Sequence, residues 1–415
     1  MPKQNPAADT RDLLSVADAR RMILDSVSAV VGREYVTVRA ALGRVLAADV
    51  VAPCNVPSHD NSAMDGYAMR TADLAAGDDT VLPVAGTAFA GRPFAGAVGP
   101  GQAIRIMTGA PIPQGADTVV MQEAVRRDGG RIVVPPGQET GQNVRRAGED
   151  LVQGTVAVAA GTRCGPAQLG LIASLGIAEV AVRRRLRVAF FSTGDEIAPI
   201  GRPLAPGEVY DSNRYTLFGA LSRLGCDLLD MGVVADDPAS LEGALRDASL
   251  AADVIVTSGG VSVGEADFVR DLMSRMGEVA FWTLAIKPGK PMAFGRIGDA
   301  VLFGLPGNPV AVLVTFYQVV QDALLQMMGV SPLPAAQRFH VPCEMAIRRQ
   351  PGRREFVRGR LLRDGGRLAV TLAGAQGSGV LRSMSEADCF IVLPEDCAGV
   401  RPGDAVLVEP FAGLV

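Results

Sequence analysis

The sequence predicts a multidomain α/β plus β protein, and three features of its 415 residues carry that reading. Strand and helix patterns alternate from Leu186 to Ser331. Two β-rich stretches, dense in Gly, Pro and short alternating apolar runs, lie on either side of that region. The length exceeds what one ordinary core serves and points to about two to four domains.

The first element is a helix in "SVADARRMILDSVSAV" (15–30), whose apolar residues recur at helical spacing behind a Ser cap. "GRVLAADV" leads into residues 53–150, where "VLPVAG", "QAIRIM" and "GRIVVP" read as short strands of a β-rich unit. A helical signal returns in "GPAQLGLIASLGI", so the β unit is expected to be inserted into a helical N-terminal domain made of 1–52 and 151–185. From 186 to 331, "RLRVAFFST", "CDLLDMGVV", "DVIVTSGG", "VAFWTLAI" and "AVLFGLPG" read as strands. Helices are expected at Asn213–Leu224, Pro238–Ala251 and Asp267–Met276, with a long closing helix at Pro309–Met328. That alternation predicts a three-layer α/β domain with a largely parallel sheet. "SPLPAAQ" marks a linker, and residues 332–415 read as a small β barrel or sandwich.

Composition narrows the function classes. Hydrophobic content of 48% with 20% charged residues fits a soluble globular chain rather than a disordered one. The net charge of −4 argues against broad binding to nucleic acid or to an anionic membrane. The N-terminus "MPKQNPAADTRD" has no apolar signal core, and no uninterrupted apolar run is long enough for a bilayer, so the expected location is cytoplasmic. Six Cys show no zinc spacing and read as reduced and structural, while two His are too few for a His-rich metal cage. Chemistry must then rest on carboxylates, Lys, Arg, Ser and Thr. Arg183–Arg185 and the run from Arg348 to Arg363 are either solvated element ends or anion sites.

Ligands of open parallel sheets bind beyond the carboxyl ends of the strands. Three loops at that edge, "STGDE" (192–196), "ADD" (235–237) and "TSGGVSVGEAD" (257–267), combine small residues with acids. Small residues let backbone N–H groups approach phosphate, and the acids suit a divalent cation.

Only three of the 40 basic residues are Lys: Lys3, Lys287 and Lys290. Pro288 and Gly289 between the last two fit a type II turn, which places Lys287 and Lys290 within about 7 Å at Cα. Two ammonium groups at roughly 6 Å repel by about 3 kcal/mol at an effective dielectric of 20, and an anion between them would reverse the sign. Asn308 is placed as the cap of the next helix and Pro309 at its first position, which adds an anion-facing N-terminus. "DNSAMDGYA" (60–68), "RIMTGAPIP" (105–113) and "VRRAGED" (144–150) are ambiguous, since Asp-Asn-Ser clusters are commonly turn formers.

In order along the chain, "DNSAMDGYA", "RIMTGAPIPQGADTVVMQE", "VRRAGED", "FSTGDE", "YDSNR", "TSGGVSVGEADF", "AIKPGKP" and "GLPGNPV" closely resemble the molybdopterin molybdenumtransferases. These are bacterial relatives of the enzymatic domain of gephyrin, and the resemblance runs from about residue 12 to the C-terminus. It implies insertion of molybdate into adenylylated molybdopterin with release of AMP, a requirement for Mg²⁺, and a homodimer with active sites shared between subunits. It also implies a C-terminal barrel and a molybdopterin-binding role for the α/β domain, with other proteins of the same biosynthesis as handover partners.

By motif, the resemblance assigns Asp236 and Asp267 to Mg²⁺ and the pyrophosphate link, and Glu196 to the pterin-nucleotide site. Ser258, Gly259 and Gly260 would bind substrate beside them. Asp65, Thr108, Arg145 and Asp150 would come from the inserted unit. Lys287, Lys290, Pro306 and Pro309 would line the anion side, with Arg358 and Ser378 from the barrel. Ala311 and Thr283 depart from the family pattern of Ser and a basic residue, which implies weaker molybdate affinity. Alternatives are a molybdopterin adenylyltransferase-like enzyme, which lacks the "DNSAMDG" unit and the barrel, and a gephyrin-like scaffold, which would tolerate loss of the acids and lysines.

Overall fold

The computed structural model describes residues 13–259 and 267–413, without the side chains of residues 267–271. Gly260 and the side chain of Asp267 therefore lie outside the described residues.

The α/β unit is built on a six-stranded sheet in the order Asp227–Val234, Arg187–Thr193, Val254–Ser258, Ala300–Leu305, Pro291–Ile297, Gly277–Thr283. The first four run parallel, and Pro291–Ile297 is antiparallel to both of its neighbours, so Gly277–Thr283 at the edge runs in the direction of the first four. Every residue of the central strands Val254–Ser258 and Ala300–Leu305 is buried, as strands covered on both faces require. On one face Leu217, Leu221 and Leu224 of Ser212–Leu224 pack with Val310, Val314 and Val320 of the closing helix. On the other, Leu241, Leu245 and Ala248 of Pro238–Ala251 meet Leu272 and Met273 of Asp267–Met276.

The helix starts follow local chemistry. Asp237 accepts hydrogen bonds from the Ala239 and Ser240 amides ahead of Pro238, and Asp211 accepts one from the Arg214 amide. The closing helix is α-helical over Pro309–Thr315, becomes a π-helix over Phe316–Val320 and resumes at Gln321–Met327. Its 19 residues contain an 18-residue window with a mean hydropathy of 1.4, long and apolar enough to cross a membrane, yet 78% of that window is buried inside the protein. It is the core helix of the α/β unit.

Two expectations are corrected here. The N-terminal region is mixed rather than helical: Arg33–Thr37 pairs with Glu179–Arg183, Val50–Val51 with Val156–Val158, and Pro166–Ser174 is its second α-helix. Its first helix, Val16–Ser26, has one apolar stripe, and Val16, Ala19 and Ile23 bury it in the same cluster as Phe316 and Val320 of the α/β unit. The second correction concerns "VAFWTLAI". That strand stops at Thr283, and Ile286–Lys287 leaves the sheet to pair with Arg354–Glu355.

The inserted unit carries a six-stranded sheet, with Gly66–Met69 between Thr118–Met121 and Ala103–Ile106. A Cβ on Gly66 would lie 2.2 Å from the Val120 carbonyl oxygen, so only Gly fits there. After the linker, Arg354–Asp364, Cys389–Leu393, Ala405–Pro410 and Phe339–Pro342 pair in that order, and Arg367–Leu372 flanks Arg354–Asp364. A bridge from Cys343 to Val370 joins the two ends of this array.

Candidate active site

The predicted residues fall into three groups. The first is a cleft of about 390 Å³ between the α/β unit and the C-terminal sheet. Lys287, Lys290, Pro306, Arg358 and Ser378, predicted from separate motifs, all line it, and so does Ala311. Pairing of Ile286–Lys287 with Arg354–Glu355 closes one wall. At the other, the Val310 amide in the first turn of the closing helix donates to the Ser378 carbonyl at 3.0 Å. Asn308 caps that helix with Pro309 behind it, as expected, though its side chain makes no capping bond. One donor of the helix N-terminus is thus already used by the C-terminal unit.

The lysine segment departs from the expected geometry. The Lys287–Pro288 peptide bond is cis, whereas a type II turn has trans bonds throughout. The chain is instead closed by the Leu284 amide, which donates to the Lys290 carbonyl at 2.7 Å. Gly289 has φ +111°, and a Cβ there would meet the Thr315 Oγ1 at 2.5 Å, so the segment lies flat on the closing helix. Lys287 is half exposed, and its Nζ contacts Glu355 Oε1 at 2.8 Å. The other Glu355 oxygen lies 3.7 Å from Nε of Arg349, a side chain only 1% exposed. Arg358 is buried: its Nε donates to Ser383 Oγ at 3.1 Å and its Nη2 to the Ala375 and Gly377 carbonyls at 3.3 and 3.0 Å. Burial lowers the pKa of its guanidinium below the ordinary arginine value. Arg358 therefore shapes the 375–378 loop that carries Ser378.

The second group sits at the carboxyl ends of the parallel strands. Asp236 is exposed there, and partial burial raises its carboxyl above the ordinary range, with the charges of Asp195, Glu196 and Asp237 adding to the rise. These acids are thus gathered at one edge. Among the described residues no group of three His, Cys, Asp or Glu is spaced to hold a metal ion. Beneath them, Ser258 is buried, and Asn213 Nδ2 donates to both Ser258 Oγ and the Gly307 carbonyl at 2.7 Å. Ser192 Oγ donates to Asp211 Oδ1 at 2.9 Å. Asp211 and Asn213, both from "YDSNR", tie the ends of Arg187–Thr193 and Val254–Ser258 to the Pro306-Gly307 loop; the motif is visible in the sequence, but these roles are not. Gly259 has φ +94°, and a Cβ there would lie 2.3 Å from the Thr193 carbonyl oxygen.

The third group lies on one edge of the inserted unit. Asp65 Oδ1 accepts from the Thr108 amide and hydroxyl, both at 2.7 Å, and these bonds hold its carboxyl below the ordinary range. Asp60 accepts from the Ala147 amide at 2.8 Å and from Arg146 Nη1 at 2.7 Å. Asn61 and Ser62 pair with Arg145 and Val144, and the Asp150 amide donates to the Val56 carbonyl. The three ambiguous motifs thus form one surface, with Asp65, Thr108, Arg145 and Asp150 exposed on it. None of these four lines the lysine cleft. The open question about Arg183–Arg185 resolves toward structure: Arg184 makes two 2.7 Å bonds to Asp253, and Arg185 donates to the Gly225 carbonyl.

Comparison with known proteins identifies the family. Residues 14–176 match the profile of the MoeA N-terminal region (domain I and II), 189–326 that of a probable molybdopterin binding domain, and 340–411 that of the MoeA C-terminal region (domain IV). The molybdopterin molybdenumtransferase of Haemophilus influenzae is 42% identical over 97% of this chain and 100% of its own. The chain belongs to the MoeA family of molybdopterin molybdenumtransferases. Molybdopterin molybdenumtransferase 2 of Mycobacterium tuberculosis is 39% identical over 89% of this chain and 92% of its own. The crystal structure of the molybdopterin biosynthesis moeA protein from Pyrococcus horikoshii OT3 superposes with a TM-score of 0.83 at 29% identity, covering 96% of this chain and 100% of that one. The MoeA assignment spans all three groups of residues, so the α/β unit with its flanking β-rich units is one enzyme of the transferase class.

Proposed function

We propose that the protein inserts molybdate into adenylylated molybdopterin and releases AMP, and that its chemistry is divided between the lysine cleft and the acidic strand ends. The observation that carries this reading is the convergence of Lys287, Lys290, Pro306, Arg358 and Ser378 on one cleft. Lys287 and Lys290 hold the tetrahedral dianion, and the Pro306–Asn308 loop with the helix behind it faces the same space. Held there beside the pterin sulfurs, the dianion reacts as if intramolecularly. The strand-end loops around Glu196, Ser258 and Gly259 bind the pterin nucleotide, with Asn213 fixing their spacing.

Asp236 and Asp267 would hold Mg²⁺, whose hard oxygen preference suits carboxylates. The charge crowding at Asp236 is the feature a cation there would relieve. When bound, Mg²⁺ supplies charge stabilisation to the phosphate oxygens. In this reading the domains are 1–52 with 151–185, 53–150, 186–331 and 332–415, and the bridged C-terminal array is a barrel. The enzyme works in the cytoplasm as a homodimer, and Asp65, Thr108, Arg145 and Asp150 of one subunit complete the other's site. The separation of that surface from the cleft within one chain supports sharing.

Incubation of the purified protein with adenylylated molybdopterin, Mg²⁺ and molybdate tests the assignment. AMP release with formation of active cofactor is expected. Adenylylation of molybdopterin from ATP, without consumption of the adenylylated form, would instead identify an adenylyltransferase.

A further inference from the structure

Two large apolar side chains stand on the surface of the inserted unit near the Asp65–Thr108 pair, Phe89 at 40% and Met64 at 43% exposure. Scattered exposed apolar residues are ordinary, but the backbone of these two is pinned at the edge that carries Asp65 and Thr108. Gly66 and Ala88 both pair with Ile106, one from each side, so residues 65, 89 and 108 lie at one end of three adjacent strands. The Met107 amide donates to the Ala88 carbonyl at 3.1 Å, and the Ala90 methyl lies 3.9 Å from where a Cβ on Gly109 would stand. Phe89 and Arg92 exchange backbone hydrogen bonds of 3.0 Å in both directions across a tight turn. The Arg92 guanidinium carbon sits 5.1 Å from the centroid of the Phe89 ring, so a cation covers one face of that ring. Met64 is held by Ser62, whose Oγ donates to the Met64 carbonyl at 2.6 Å and accepts from its amide at 3.3 Å. Both bonds that Asp65 accepts go to Oδ1, so its other oxygen has no donor among the described residues.

We propose that Phe89, backed by Arg92 and with Met64 on the same edge, is the stacking platform for a flat heteroaromatic ring of the substrate, while the free oxygen of Asp65 accepts from a ring N–H or amino group. An aromatic face held in place takes a planar ring at little entropic cost, and an unbranched thioether adapts to its outline. Pterin and adenine both offer a π-face edged with nitrogen donors. This rests on the reading that the Asp65 surface completes the site for the adenylylated substrate.

The test is a titration of adenylylated molybdopterin at saturating molybdate and Mg²⁺ for the unaltered enzyme, Phe89→Ala, Phe89→Leu, Phe89→Trp and Asp65→Asn, with calorimetric binding of AMP and of molybdopterin to each. Loss of one stacked ring is expected to raise the KM of Phe89→Ala for the adenylylated substrate by about tenfold. Its molybdate KM and melting temperature should stay unchanged; Phe89→Trp should recover the loss and Phe89→Leu should not. Weaker binding of AMP alone assigns the platform to the adenine, weaker binding of molybdopterin alone assigns it to the pterin, and either supports the proposal. An unchanged KM in Phe89→Ala, beside impaired turnover in Asp65→Asn, would overturn the role of Phe89 and leave the shared-site reading intact. If neither variant affects turnover, that reading fails with the proposal. Full recovery by Phe89→Leu would mark a plain apolar contact, and a lower melting temperature with an unchanged KM a structural one, both against the proposal.

Discussion

Lys287 is held in the resting protein by Glu355 rather than by its neighbour's field, and that pairing decides what its removal should do. The ion pair is half exposed on the lysine side, so it contributes only about 0–1 kcal/mol to stability. The backbone pairing of Ile286–Lys287 with Arg354–Glu355 does not need the side chain. Lys287→Ala should therefore keep its melting temperature within about 1–2 °C while losing turnover at low molybdate, as a molybdate titration beside a thermal melt would show. Asp236 makes the opposite case. Its carboxyl titrates above the ordinary range, so its favourable contribution is complete only below that range and is lost as pH rises through the raised value. At neutral pH its charge is a cost, moderated by solvent because the residue is exposed. Asp236→Asn should melt about 1–2 °C higher at pH 7, with the gain shrinking toward pH 4. The same variant should lose Mg²⁺-dependent activity, so stability and function move apart at one residue.

At the scale of elements, what could be seen in the chain was what local chemistry decides. Pro238–Ala251 and Asp267–Met276 have the expected bounds; Asp237 and Pro238 punctuate the start of the first within a few residues. The lysine segment differs from the expected turn because its path is set from a distance: Thr315 lies under Gly289, and Arg354 and Glu355 draw Ile286–Lys287 out of the sheet. The first helix was placed correctly, but its partner, the π-helical stretch of the closing helix, is 300 residues away and leaves no local mark. The glycines of the strand-end loops were legible as close-approach positions, and Gly259 is the clearest. A methyl group there meets the Thr193 carbonyl and the backbone is left-handed, so Gly259→Ala should cost about 2–4 kcal/mol. Denaturant unfolding would register that loss. A cost below about 0.5 kcal/mol would mean that the loop has room to relax.

Across the whole molecule, the three groups of site residues differ in how they are held together. The cleft is assembled within one chain, by the strand exchange at Ile286–Lys287, the Val310 to Ser378 bond and the Phe316, Tyr317, Phe390 and Phe411 aromatic cluster. The hydrogen bonds of Asp60, Asp65 and Thr108, by contrast, close among the loops of the inserted unit. If a second subunit supplies that surface to the cleft, Asp65→Asn and Lys287→Ala damage different halves of one site. Each homodimer then has two impaired sites. A heterodimer carrying one copy of each has one site with both lesions and one with neither. Refolding or co-expressing the two variants in equal amounts makes half of the dimers mixed, so activity should return to about a quarter of the unaltered enzyme's. Sites contained within one subunit predict no recovery above the mean of the two variants. The comparison needs only AMP release at saturating molybdate, measured on the mixture and on each variant alone.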